Sequence, residues 1–335
     1  MNNSTRMSLS AGLVMVGMSF HAVHAQTGAV LYGVADAGLV IEQGTPAGHA
    51  TNISSGVSAG NRIGFKGKED LGDGNSAIFV LENGYNIDTG TAGQGGLLFG
   101  RQAYVGLSGA AGTLTAGRQY SPYYKVMRDV ADPFGIGYAG NSLNIMAGNT
   151  RVNNMMEYQS PLDGGWSADI GYGMGETPGD SRLGRTISIA LGYTHGVASL
   201  YAVQHRHEQT SGSDHAQNSL LVAKLNLNTA IVSAAHAQNI GFGGTRSHDS
   251  LLGVTVPFGR DKLLGSVIVH RDRLPVSGKA QQYGIAYVHG LSKRTELYAA
   301  YAHINNHSAT PFTVGNGTDV GSGHTATNLG IRHNF

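Results

Sequence analysis

Thr327-Asn328-Leu329-Gly330-Ile331-Arg332-His333-Asn334-Phe335 closes the chain and alternates at every step. Thr327, Leu329, Ile331, His333 and Phe335 share one face, and Asn328, Gly330, Arg332 and Asn334 share the other. A period of two belongs to a strand, here one with apolar surroundings on a single side. A final strand left open would offer its backbone edge to other chains. A sheet rolled shut removes that edge by pairing its last strand with its first. The expectation is a transmembrane β-barrel of the outer-membrane kind.

The start of the chain points the same way. Arg6 precedes an apolar run from Leu9 to Phe20, and Ala22-Val23-His24-Ala25 supplies small residues before Gln26. This is the pattern of a cleaved secretory leader, with a run shorter than the roughly 20 residues of a spanning helix. The expected organisation is a leader over 1–25 and one barrel domain over 26–335. Glycine (51 of 335 residues) and tyrosine (15) are abundant and proline (8) is scarce. That composition suits tight turns, aromatic girdles and strands whose N–H groups must all be paired in lipid. With no cysteine, disulfides and thiol catalysis are excluded. Cleavage would remove one base, Arg6, of 22 and none of the 21 acids, leaving a formally neutral chain. A nucleic-acid binder would carry a basic excess.

Further strands show the same alternation. Trp166, Ala168, Ile170, Tyr172 and Met174 interleave with Ser167, Asp169, Gly171 and Gly173. Leu221, Ala223, Leu225 and Leu227 interleave with Val222, Lys224, Asn226 and Asn228, and Tyr283, Ile285 and Tyr287 with Gln282, Gly284 and Ala286. Short turns, such as 69–74, 160–165, 195–196 and 291–294, separate longer polar segments at 42–60, 176–185, 208–218, 239–246, 273–279 and 305–325. Turns at one end and loops at the other give about 16 antiparallel strands with both termini on the periplasmic, short-turn side. Residues 120–150 break the pattern. This connection is long and moderately apolar, with Ile136, Leu143, Ile145 and Met146, and is expected to fold inward against the barrel wall.

The chain resembles the general diffusion porins of Gram-negative outer membranes, in their beta-proteobacterial branch. The segments that carry this are Leu31-Tyr32-Gly33-Val34-Ala35-Asp36-Ala37-Gly38, Asn61-Arg62-Ile63-Gly64-Phe65-Lys66-Gly67 and Phe99-Gly100-Arg101-Gln102-Ala103-Tyr104-Val105-Gly106-Leu107. Thr115-Ala116-Gly117-Arg118-Gln119-Tyr120, Arg151-Val152-Asn153-Asn154 and the final Gly330–Phe335 continue it in order. The resemblance implies an all-β, 16-stranded antiparallel barrel with an inward-folded third external loop. It also implies a homotrimer in contact with lipid and lipopolysaccharide. The barrel-assembly machinery would read the last strand through Leu329, Ile331, His333 and Phe335.

Selection would rest on Arg62, Arg101, Arg118 and Arg151. Arg62 shares its parity with Lys66 and Lys68 against Ile63 and Phe65. Arg151 shares its parity with Met155 and Glu157 against Val152, Met156 and Tyr158. A charge on the lipid face at mid-membrane costs about 2–4 kcal/mol, so the basic faces should line the lumen. The resemblance places Glu82 inside as well, and sets Asp129 and Asp132 of the inserted segment against the arginines. Opposed charges produce a transverse field that favours small polar solutes. Four arginines against three acids predict a weakly anion-selective, water-filled diffusion channel. A substrate-specific channel would show a ladder of lumenal aromatics, whereas most tyrosines here are read on the lipid-facing parity. A barrel enzyme would need a nucleophile and base, and no Gly-x-Ser-x-Gly occurs. His205-Arg206-His207 is read as surface histidines rather than a metal site, and no cofactor is expected.

Overall fold

A computed structural model of the protein describes residues 28–45, 48–274, 277–308 and 310–335; the leader expected over 1–25 lies outside them. β1 (Gly28–Thr45), β2 (Gly48–Ser55), β3 (Arg62–Gly72), β4 (Asn75–Gly84), β5 (Gln102–Gly109) and β6 (Gly112–Tyr120) precede the long connection. β7 (Arg151–Gln159), β8 (Trp166–Gly173), β9 (Thr186–His195), β10 (Ala198–Glu208), β11 (His215–Asn226) and β12 (Ile231–Ile240) follow it. β13 (Arg246–Phe258), β14 (Asp261–Leu274), β15 (Lys279–Gly290), β16 (Thr295–His307) and β17 (Thr325–Asn334) complete the wall.

Each strand pairs antiparallel with its neighbours, and β1 meets β17 from Val34↔Asn334 to Gln43↔Thr325. On its other side β1 pairs with β3 through residues 28–34 and with β2 through 37–45. β2 and β3 are therefore two halves of one stave, and the described strands form a closed barrel of sixteen. The bend between the halves is gathered by Asp36. Its buried carboxylate accepts N–H bonds from Ser58 (3.1 Å) and Ala59 (3.0 Å) and a bond from the Tyr298 hydroxyl (2.8 Å). At the seam Gly33 and Phe335 exchange backbone hydrogen bonds of 3.0 and 3.1 Å.

Alternation sorts the side chains as lipid requires. Leu221, Leu252 and Ile285 are exposed on the outer wall, and their strand neighbours Leu220, Leu251 and Ala286 are buried inside. Two connections depart from expectation. Residues 42–60 are no long loop, because Glu42↔Ala50 and Thr45↔Gly48 continue the ladder almost to the tip. Glycine and threonine there look loop-like yet pair as strand. Conversely, residues 85–101, between β4 and β5, form an extended connection held by a Tyr85↔Ala92 bridge.

The segment 121–150 lies within the barrel, and the packing explains its apolar residues. Met127, Ala131, Ile136, Ile145 and Met146 join one buried cluster with Leu220, Ala235, Leu251 and Ile268 of the inner wall. Polar anchors fix its course. Ser233 Oγ donates to the Ala131 carbonyl (2.7 Å), Gln282 Nε2 to the carbonyls of Gly140 (2.9 Å) and Asn141 (3.0 Å), and the Tyr138 N–H to the Val57 carbonyl (2.7 Å). Gly284 makes room for this contact, since a Cβ there would stand 2.8 Å from the Gly140 Cα.

Candidate functional site

The narrow part of the lumen is built where this segment begins. Ser121 and Pro122 start a short helix, α1 (Pro122–Val126): the Ser121 Oγ accepts from the Tyr124 N–H (3.0 Å) and proline takes a position that lacks an N–H partner anyway. A π-helical turn over Met127–Ala131 continues it. Helical spacing then brings Tyr124 and Arg128 onto one face, against Tyr120 at the end of β6. The two rings stack at 4.8 Å and 15°, with the Arg128 guanidinium 5.0 and 5.5 Å from them. Arg151 lies 4.7 Å from the Tyr120 ring and donates to its hydroxyl at 3.0 Å. Arg101 donates to the same hydroxyl at 2.7 Å.

These groups border a space of about 430 Å³ lined in part by Arg62, Arg101, Arg128, Arg151 and Asp319. Their charges are balanced unequally. Arg101 and Glu82 are both buried, and Arg101 Nε meets Glu82 Oε1 at 2.8 Å while the Tyr32 hydroxyl donates to Oε2 at 2.9 Å. Arg128 is bidentate to Asp129, at 2.7 and 2.8 Å. Among the described residues, no carboxylate pairs with Arg62 or Arg151, and each holds a buried Nε without a hydrogen-bond partner.

Several expected residues sit elsewhere. Asp132 is turned into the segment, not the lumen. Its carboxylate accepts from the N–H groups of Phe134 (2.9 Å), Ile136 (3.2 Å) and Ser142 (2.8 Å). Burial pushes its carboxyl above the ordinary aspartate range, and those donors pull it partly back. Asp132 therefore shapes the loop. Asp129 is exposed but is not among the residues lining the cavity, and its partner is the adjacent Arg128 rather than the opposite wall. Arg118 is not among the residues lining the cavity. It stands opposite Ala103, in line with the pairs Val105↔Ala116 and Leu107↔Leu114, whose leucines are exposed on the outer wall. There it donates to the Gly100 carbonyl at 2.8 Å and to Asn153, a bracing role. The alternation expected for Arg151 is interrupted, because Asn154 adopts a positive φ of 49° and the register shifts. Its lumenal place follows from its contacts with Tyr120.

Arg128 and the tyrosine pair were not singled out from the sequence, although Ser121-Pro122 followed by residues four apart was a legible signal. Nor do the tyrosines keep to the outer face: Tyr32, Tyr104, Tyr120, Tyr123, Tyr124, Tyr138 and Tyr298 are turned inward or held in the inserted segment. His205 is no surface group. It is buried, edge-on to Tyr123 at 6.0 Å. Below the stack Lys125 pairs with Glu157 and, at 2.6 Å, with Asp169, tying α1 to β7 and β8.

A family model described as Gram-negative porin matches residues 11–309. Outer membrane porin protein 32 of Delftia acidovorans is 30% identical over 94% of this chain and 96% of its own length. The chain belongs to the Gram-negative porins. An outer membrane porin protein of Bordetella pertussis is 28% identical over 98% of this porin and 99% of its own length. Among solved structures, an anion-selective porin from Comamonas acidovorans superposes with a TM-score of 0.79 at 26% identity, covering 92% of this chain and all of that one. An outer membrane protein of Vibrio cholerae solved in a trimer form shares the fold, with a TM-score of 0.69 at 15% identity over 92% of this chain and 99% of its own. The protein is thus an outer-membrane channel for passive diffusion, a sixteen-stranded barrel narrowed by the segment packed inside it.

Proposed function

We propose that this porin prefers small anions, and that Arg62 and Arg151 set the preference. The observation that carries this is the charge balance at the narrow space. Glu82 offsets Arg101 and Asp129 offsets Arg128, while Arg62 and Arg151 have no paired carboxylate; with Asp319 also bordering the space, four arginines stand against three acids. Confined between walls of low dielectric, that excess raises the local concentration of anions and lowers that of cations. The relative from Comamonas acidovorans, described as anion-selective, gives the reading independent support.

The sign is tested by the reversal potential of the purified porin in a salt gradient across a planar bilayer. Anion preference is expected, and cation preference in the unaltered protein refutes the reading. A liposome-swelling series with neutral solutes should show graded loss of flux with size, as in a sieve; saturation by one solute would mean a specific channel instead.

Assembly belongs to the same proposal. The functional unit is taken as a homotrimer of single-domain barrels in contact with outer-membrane lipid, freed of residues 1–25, with both termini periplasmic. The trimeric state of the Vibrio cholerae relative and the run of short turns at one barrel end support this. Three equal closing steps in single-channel records and N-terminal sequencing of the exported protein test these points.

A further inference from the structure

The acid that lines the narrow space comes from a part of the chain that the sequence did not set there. Asp132 is turned into its own loop, and Asp129 is not among the lining residues. Among the described residues that do line the space, the one carboxylate is that of Asp319. It belongs to residues 310–324, in the connection between β16 and β17.

That connection folds back into the mouth as a second inserted segment. Val314 is fully buried in the cluster that also holds Met127 and Ile145. The Gly315 N–H donates to Asn144 Oδ1 at 2.9 Å, which ties the two inserted segments to each other, and the Gly317 N–H donates to the Val57 carbonyl at 3.0 Å. Phe312 stands edge-on to His270 at 4.7 Å, and Glu42 accepts from the Ser322 N–H at 2.9 Å. The tip closes on itself. The N–H groups of Thr318 and Asp319 both donate to Asn316 Oδ1 at 3.0 Å, and the Asn316 N–H donates to the Asp319 carbonyl at 2.7 Å. An asparagine side chain bonded two residues along its own backbone is a turn that needs no neighbour to hold it.

Asp319 therefore stands on a fixed backbone while the residue itself is exposed. Its carboxylate has one long hydrogen bond, from Asn316 Nδ2 at 3.4 Å, and among the described residues no ion pair. Glu82 and Asp129 are each engaged by one arginine, so their fields are largely closed off at short range. A fixed and unpaired carboxylate acts instead on whatever occupies the space beside it. It is the negative counterpart of Arg62 and Arg151, which have no paired carboxylate.

We propose that Asp319 is a specificity-determining acid of this channel: it supplies the negative pole of the narrow space and holds the preference for anions below what the arginines alone would give. This rests on the diffusion reading alone and holds whichever ion the unaltered porin prefers.

The test uses the full chain refolded in detergent and inserted into a planar bilayer, with reversal potentials read in potassium chloride gradients at low and high ionic strength. Asp319→Asn should move the permeability ratio towards chloride about two- to threefold at low salt. The shift should shrink as the screening length falls from about 10 Å near ~0.1 M to about 3 Å near ~1 M. Asp319→Glu keeps the charge and should keep the parent's ratio, a rescue that a purely structural role would not give. Asp129→Asn should move the ratio less than Asp319→Asn does, because its partner lies beside it. Should Asp319→Asn not refold, Asp319→Ser takes its place with the same expectations. A parent that prefers cations, with Asp319→Asn still shifted towards chloride, would refute the anion reading and uphold this one. The proposal fails if Asp319→Asn leaves the ratio unchanged, or if Asp319→Glu shifts it as far as Asp319→Asn. It also fails if the shift is the same at both salt concentrations, or if Asp129→Asn gives the larger one.

Discussion

Arg101 and Arg151 donate to the same hydroxyl, that of Tyr120, yet the two are held in different ways. Arg101 is buried against Glu82, and its charge is already answered within the wall. Arg151 stacks on an aromatic face and has no carboxylate partner among the described residues. The same residue type in the same space is thus structural in one case and available to solutes in the other. What separates them is whether a strand neighbour supplies an acid, a property of position rather than of arginine.

The comparison can be broken most severely at the paired member. Glu82→Ala leaves a buried guanidinium without a counter-charge, and a loss of about 3–5 kcal/mol is expected from the denaturant midpoint. Joint replacement, Glu82→Gln with Arg101→Met, should recover most of that loss, and a joint variant as unstable as the single one would show that the pair is not the cause. Next in size is Asp132→Ala, which strands the three N–H groups gathered by that carboxylate. A cost of about 1–3 kcal/mol follows for one buried donor left unmet. Limited proteolysis should then cut within residues 121–150, and resistance equal to the parent's would count against the loop-shaping role.

The unpaired member answers differently. Arg62→Gln with Arg151→Gln should move stability by less than about 1 kcal/mol while shifting the permeability ratio severalfold towards cations. Asp129→Asn frees Arg128 from its exposed partner and should shift the ratio slightly the other way, with stability changed by under about 1 kcal/mol. Smallest of all is Arg118→Gln: with its side chain on the outer parity, reversal potential and conductance should both equal the parent's. A clear change in either would return Arg118 to the channel.

The wall was legible because lipid enforces a rule of two. Wherever one face must be apolar, as in Leu221 and Leu225 of β11, alternation alone gives strand, face and register. The inserted segment was legible only in outline. Its apolar residues showed that it packs, but Asp129 and Asp132, three positions apart in a stretch without period, have opposite fates that no alternation could separate. Asp132 is followed by proline and closes a turn on its own backbone; Asp129 sits beside a guanidinium that reaches it. The step at Asn154 and the bend at 56–61 were equally hidden, since each depends on a partner far along the chain, Gln119 in one case and Asp36 in the other. Tyr124 and Arg128 show the converse, a helical spacing present in plain view within a chain otherwise read in steps of two.

The hydrogen-bonded seam between Gly33 and Phe335 also bears on biosynthesis. With β1 and β17 as direct neighbours, the cylinder closes only once β17 is in place, and a product stopped at His307 would expose two raw margins at once. The adjacency of the two ends makes a rearranged version attainable, in which a short tether joins them and new ends are opened at the 196–197 turn.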